Sequence, residues 1–273
     1  MTAPQRGGSL LERAGLALAH TPLHTLDLAR QVLKLKGGNA SAASAAVFAL
    51  LGADPRFTVD SEGVWRLAEG ASPPGTPLRE LEFAVVDVET TGGGYGRGHR
   101  VTEVAVVPVI RGRIGEAYRT LVHPGRSIPP RIQALTGIND AMVRGAPPFD
   151  VIADDLREVL EGRIFVAHNV SFDWGFIREE LLAARGDAPE LERLCTVKMG
   201  RRLVPGLRSY ALDALTRHFE ISIHDRHRAF GDALATARLL LLLIERAESE
   251  GVGDLERLQH HLSARKATKR RRG

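Results

Sequence analysis

Cysteine is almost missing from this chain: Cys195 stands alone among 273 residues. A single thiol excludes an internal disulfide and fits a reducing cytoplasm. The N-terminus carries no basic-then-apolar stretch of the secretory kind. Long hydrophobic runs are missing as well; 239–244 is six apolar residues inside a longer helical pattern, far short of a membrane span. No internal repeat is evident. Together these absences predict a soluble cytoplasmic protein without a membrane partner.

What remains is ordinary in bulk and uneven in detail. Hydrophobic residues make up 44% and charged residues 26%, a balance that gives a sizeable core in one large or two smaller domains. The formal charge of +4 is concentrated at one end. Without Arg265, Lys266, Lys269, Arg270, Arg271 and Arg272, 31 basic residues face 33 acidic ones, leaving a body near −2. Such a tail raises the local concentration of a polyanion without reading its sequence.

Residues 10–20 and 23–35 carry helical spacing, the second with Leu26, Ala29, Val32 and Leu33 on one side. Gly37-Gly38 interrupts the chain, and Asn39 is placed to cap a third helix through Leu51. Residues 56–59 and 64–67 flank the turn 60–63 as a hairpin. Three helices and a hairpin resemble a winged helix-turn-helix. Residues 39–51 contain no Lys or Arg, whereas Lys34, Lys36, Arg56 and Arg66 offer phosphate contacts from elsewhere in the module. Contact with DNA and docking of a protein both stay open. The Pro- and Gly-rich stretch 71–77 has linker composition.

A second domain follows. The stretch 83–92 is a Val-rich run closed by Asp87, Glu89, Thr90 and Thr91. Alternate strand residues share a face, so Asp87 and Glu89 project side by side; both stay ionised there only with cations between them. The glycine-rich loop 92–98 leads into another Val-rich strand, 101–110, instead of a helix. It therefore fails as a dinucleotide fingerprint and reads as a flexible hairpin connection. A strand over 114–122 would complete an antiparallel meander. Then come a short apolar turn at 132–138, a helix over 149–160, a strand over 164–167 and a helix over 172–184. One more strand lies near Cys195, with helices over 210–219 and 229–250. Strands first and helix–strand alternation afterwards predict a mixed sheet covered by helices.

Two further acids stand at helix starts: Asp173 in His168-Asn169-Val170-Ser171-Phe172-Asp173, and Asp232 five residues after His227. Each alone is explained by the helix dipole. In sequence order, however, Asp87, Glu89, Asp173, His227 and Asp232 resemble the DnaQ-like 3′–5′ exonucleases of the DEDDh type, over about residues 81–246. That resemblance implies an α/β, ribonuclease H-like mixed sheet flanked by helices. Joined to the module, linker and tail read above, it gives boundaries at 1–70 for the winged-helix-like module, 71–80 for a linker, 81–250 for the exonuclease domain, and 251–273 for a C-terminal helix and basic tail.

The resemblance also implies roles. Asp87, Glu89, Asp173 and Asp232 would hold two divalent ions, Mg²⁺ or Mn²⁺, which favour carboxylate oxygens. His227 would take the proton from the attacking water, with Ala229 and Gly231 leaving room for substrate beside it. Thr90, Thr91, Leu135 and Phe172 would border the terminal nucleotide, Leu135 from the segment 132–138. The implied partner is DNA at single-stranded or frayed 3′ ends, cleaved to nucleoside 5′-monophosphates in repair or end trimming. His168 reads as a structural hydrogen bond at a strand end. His224 and His227 form an H-x-x-H without further zinc ligands nearby.

The clamp-binding peptide of a replicative proofreading subunit is only begun in Gln259-His260-His261-Leu262, where Ser263-Ala264 replace the apolar anchor. A stand-alone nuclease fits better. The rivals are an RNA- or oligonucleotide-trimming enzyme of the same family and a non-catalytic winged-helix DNA-binding protein with an inactive nuclease fold.

Overall fold

The computed structural model describes residues 9–19, 21–35, 39–69, 71 and 73–264. Lys36, Gly37-Gly38 and the basic run of 265–272 lie outside the described residues. The chain forms two compact units, residues 1–77 with 253–257, and residues 78–252 with 258–273. The linker-like stretch 73–77 thus belongs to the first unit, where a Cβ on Gly15 would meet Pro74 Cδ at 2.3 Å.

In the first unit, α1 (Leu10–Leu18) opens with a capping box: Ser9 Oγ accepts from the Glu12 amide at 3.1 Å, and Glu12 accepts from the Ser9 amide at 2.7 Å. There follow β1 (Leu23–His24), α2 (Thr25–Gln31), α3 (Ala40–Leu51), β2 (Phe57–Val59) and β3 (Val64–Leu67). The strands form an antiparallel sheet in the order β1-β3-β2. Asn39 caps α3 through the Ser41 amide at 2.9 Å.

Residues 23–35 are not one helix. Leu23 and His24 pair with Trp65 and Val64, α2 ends at Gln31, and Lys34 has a left-handed φ of 57°. Buried Trp65 donates its indole N–H to Thr25 Oγ1 at 3.0 Å, and that hydroxyl donates to the Gly63 carbonyl at 2.8 Å, which fixes the helix start beside the hairpin. Two of the cations offered for phosphate contact are also committed internally. Arg56 is paired with Asp54 and Glu256, and Arg66 with Asp60.

The second unit contains β4 (Glu82–Thr90), β5 (Val101–Ile110), β6 (Arg113–Ile114), β7 (Tyr118–Leu121), α4 (Pro130–Thr136), α5 (Asp140–Val143) and α6 (Phe149–Leu160). It continues through β8 (Ile164–Ala167), α7 (Val170–Arg185), β9 (Arg193–Cys195), α8 (Thr196–Leu203), α9 (Leu212–His218) and α10 (Ala229–Ser249), followed by α11 (Leu255–Ser263). Its mixed sheet runs β6-β5-β4-β8-β9, with β7 also on β5. β4 is antiparallel to β5 and parallel to β8, as is β8 to β9. Helices cover both faces, so β5 is buried through nine of its ten residues. Ala84, Val86 and Val88 join the core under α6 and α7. The alternate residues of β4, Asp87 and Glu89 among them, face the other way, where α10 packs against β4 and β5.

Three local outcomes differ from the sequence reading. The strand 114–122 is broken into β6 and β7. Pro108 has no N–H to donate, its carbonyl accepts from Gly115 at 2.8 Å, and the pairing slips by one residue at that point. The segment 132–138 is not a turn but most of α4, opened by Pro130 and closed by Gly137 at φ 71°. The amphipathic α8 was not legible as a separate element.

Candidate active site

β4 outruns β8: their pairing stops at Val85–Val166, so the backbone of β4 beyond that point lacks a partner on one side. α7 begins just there, after Asn169 in the left-handed region at φ 86°. Asp173, in its first turn, accepts from the Val88 amide at 3.3 Å and so satisfies an N–H that no strand reaches. A buried acid is thereby fixed at the open end of the strand that carries Asp87 and Glu89.

The opposite side is closed by α10. Asp232 sits in its first turn, 3% exposed. Its Oδ2 accepts from the His227 amide at 3.2 Å and from Arg226, which also pairs with Asp213 at 2.7 Å. Its Oδ1 is buried with no hydrogen-bond partner. Carboxylate oxygens of Asp87, Glu89 and Asp232 lie within 4.8 Å of one another.

This gathering shifts the acids upward. Burial, then the charges of Asp173, Asp232 and Glu89, hold Asp87 well above the ordinary carboxylate range. Burial, followed by Asp232 and Glu103, pushes Glu89 up to about 8. Burial raises Asp173 to about 7 against the pull of the Val88 amide. Asp232 is raised too, since burial outweighs Arg226. Such a site favours cations. Three convergent carboxylates and one orphaned carboxylate oxygen suit a hard divalent ion, and among the described residues they are the one group so arranged.

His227 has a left-handed φ of 62° and lies between Arg226, whose Nη1 is 3.3 Å from its Nδ1, and the clamped start of α10. The segment is held by Glu103, which accepts from both Arg228 nitrogens at 2.7 and 3.1 Å and from the Ala229 amide at 2.9 Å. Ala229 and Gly231 do not open space for substrate. Ala229 is fully buried, and a Cβ on Gly231 would come within 2.1 Å of the His224 carbonyl oxygen. The missing Cβ of Gly231 admits the backbone of 224–225.

The remaining site candidates are placed unequally. Thr90 is buried with its hydroxyl donating to the Gly92 carbonyl at 2.7 Å; Thr91 accepts from the Arg100 amide at 3.0 Å. Both hydroxyls shape the end of β4. Phe172 packs on Phe176 with ring centres 5.1 Å apart. Leu135 stands outside the carboxylate set, 52% exposed on α4, while Ile138 in the same segment is fully buried. His168 bonds Thr196 Oγ1 at 2.9 Å and the Tyr210 carbonyl at 3.1 Å, and burial lowers its pKa to about 4. It is a neutral strut.

Glu103, Arg226 and Asp213 were missed in the sequence. An acid inside the Val-rich run of β5 was the available signal for Glu103, because burial demands a partner for it.

Comparison with known proteins agrees with the second unit. The family described as Exonuclease (RNase_T) matches residues 84–240. The chain is 35% identical over 190 residues to the 3′-5′ exonuclease DinG of Bacillus subtilis, covering 68% of this chain and 20% of that one. It is 36% identical over 186 residues to the DNA polymerase III subunit epsilon of Aquifex aeolicus, covering 67% and 92%. Among solved structures, Exonuclease X in complex with 5′ overhanging duplex DNA aligns with a TM-score of 0.51 and 31% identity, over 67% of this chain and 99% of that one. The chain thus spans about a fifth of the DinG relative and nearly all of the epsilon relative.

Proposed function

Because the chain belongs to the exonuclease family, we propose that it is a metal-dependent 3′–5′ exonuclease that shortens DNA from its 3′ end and releases nucleoside 5′-monophosphates. The observation that carries this is the meeting of Asp87, Glu89 and Asp232, with the orphaned Oδ1 of Asp232 among their oxygens.

Asp87, Glu89 and Asp232 would hold a divalent ion, and Asp173 would serve a second one. Such a pair supplies charge to steady the attacking and leaving oxygens of an in-line displacement. The chain's own residues do the rest. His227 accepts a proton from the attacking water, the general-base role that a positioned imidazole most often fills. The Glu103–Arg228 clamp holds the segment that carries that histidine. Leu135 and Phe172 supply apolar surface against the terminal base, while the backbone shaped by Thr90 and Thr91 faces the terminal sugar.

Repair or end trimming suits this chain better than service in a replicase. The begun clamp peptide is folded into α11, where Leu258 is buried and Gln259 donates to Glu192 at 2.7 Å. We read the first unit as a winged-helix-like module and assign it to protein docking over DNA reading. Its α3 carries no cation, Arg56 and Arg66 are already paired, and Phe48 on α3 is 48% exposed.

The test is a 5′-labelled single-stranded DNA with a matched RNA. A ladder descending from the 3′ end of the DNA, abolished by EDTA, restored by Mn²⁺ and absent in Asp87→Ala, is the expected result. Preference for the RNA reassigns the substrate. Inertness of the wild-type protein on both, with Mn²⁺ present, removes the enzyme reading.

A further inference from the structure

Asp232 differs from its neighbours in what holds it. Asp87 and Glu89 ride on a strand paired with β5 along its length, whereas Asp232 projects from the first turn of α10. The outer torsion of an aspartate is broad and roughly two-fold, so the helix alone does not choose which oxygen faces the other carboxylates. Two donors make that choice. The His227 amide and the Arg226 guanidinium both bond Oδ2, while the buried Oδ1 keeps no partner in the protein.

Arg226 is fixed in turn from its far side. Its Nε donates to Asp213 Oδ1 at 2.7 Å, and Asp213 stands in the first turn of α9. The backbone that presents Arg226 is strained, since Asp225 and His227 on either side take left-handed φ values of 56° and 62°. Such conformations persist in non-glycine residues only where the surroundings enforce them. Here the bridge from Asp213 through Arg226 to Asp232, with the His227 amide on the same oxygen, supplies that enforcement. The bridge is not a phosphate clamp. One guanidinium charge already faces two carboxylates, which leaves no surplus for a further anion.

We propose that Arg226, anchored by Asp213, is a positioning residue that locks the Asp232 carboxylate with Oδ1 turned toward a divalent ion. The proposal rests on the metal-dependent reading of this site, and its test reads metal binding apart from turnover.

The variant that decides it is Arg226→Met/Asp213→Asn. It removes one charge of each sign, so the net charge of the protein and its long-range attraction for a cation are kept, and only the hold on Oδ2 is lost. Titration of the metal-free protein with Mn²⁺, followed by electron paramagnetic resonance, should show binding weakened roughly tenfold or more, the usual cost of removing a group that orients a metal ligand. Arg157→Met/Asp187→Asn makes the same exchange in another exposed pair of this unit and should leave Mn²⁺ binding unchanged. In EDTA both variants should melt within a few degrees of the wild type. Turnover of a short DNA should fall at limiting Mn²⁺ and recover at saturating Mn²⁺, because the bound ion then selects the orientation itself. Arg226→Lys keeps the charge without the planar fork and should weaken Mn²⁺ several-fold, a check that survives if the double variant fails to fold. Unchanged Mn²⁺ binding in either Arg226 variant overturns the proposal, as does an equal loss in the Arg157 control. So does turnover that excess Mn²⁺ leaves depressed. A salt slope for single-stranded DNA in EDTA that drops by about 0.7 also overturns it, since Arg226 would then contact a phosphate. A wild-type protein that binds Mn²⁺ and cleaves no DNA, with the difference in Mn²⁺ affinity intact, would sink the nuclease reading and leave the positioning role standing.

Discussion

At the residue scale, the site stores electrostatic cost. Asp87, Glu89 and Asp232 converge, and Glu89 at about 8 and Asp173 at about 7 retain protons in the folded state that an unfolded chain would have released. A raised acid contributes stability that is fully present below its unfolded pKa and is lost as pH climbs from there through the folded pKa. The metal-free protein should therefore melt about 5 °C lower at pH 8.5 than at pH 5.5. Mn²⁺ should reverse the drop, because it answers the same charges, and Glu89→Gln should shrink it. Differential scanning calorimetry in EDTA reads all three; a Tm that rises over this window would show that the carboxylates are not gathered as described. For the chemistry, His227→Ala should lower turnover by about 10² while leaving Mn²⁺ binding intact, the signature of a lost proton acceptor. Steady-state rates paired with metal titration separate it from Asp232→Ala, which should lose both.

Elements, not single side chains, decide what the sequence reveals. Asp87 and Glu89 were legible as a pair because a strand has period two, whereas Asp173 and Asp232, each explained alone by a helix start, became site candidates only through the order they share with the DEDDh-type resemblance. The Val-rich run marked Glu103 as an acid in need of a partner, but its position opposite Glu89 was not legible, because it depends on the register of β4 against β5, which shifts between Glu89 and Thr90. No local pattern carries that shift. The break between β6 and β7 was hidden for a related reason, since the missing donor, Pro108, lies on the neighbouring strand. The start of α10 shows how an element carries function. Glu103 holds Arg228 and the Ala229 amide, Asp232 holds the His227 amide, and Gly231 lets 224–225 lie against the helix. Gly231→Ala should cost about 2 kcal/mol or more, since the Cβ meets backbone that cannot step aside. Glu103→Gln keeps the shape and removes the charge. It should leave Tm within a few degrees, lower kcat several-fold with little change in KM, and shift the acid limb of the rate profile down, because Glu89 loses one of the charges that raise it. Urea melts for the first variant and a pH–rate profile for the second test this clamp.

For the whole molecule, the family match covers 84–240 and leaves the first unit and the basic end outside it. The body carries a charge near −2, so a polyanion gains little from its long-range field. Attraction has to come from local groups, and the sequence places six of them together at 265–272. Their contribution is independent of sequence, because cations that neutralise phosphates release condensed counterions from any phosphate chain. Catalysis, by contrast, rests on side chains fixed by β4, α7 and α10. The two should separate cleanly. Deleting residues 265–273 should lower the salt slope of single-strand binding by up to about 4, six charges at 0.7 each. At saturating substrate the turnover of a short oligonucleotide should stay within about twofold, since no group near the carboxylates is touched. Filter binding from low to high salt with single-turnover kinetics on the same preparation gives both numbers. A deletion that spares the slope and lowers the turnover would place the tail at the reacting end of the strand, and binding would then have to be credited to the folded body despite its charge.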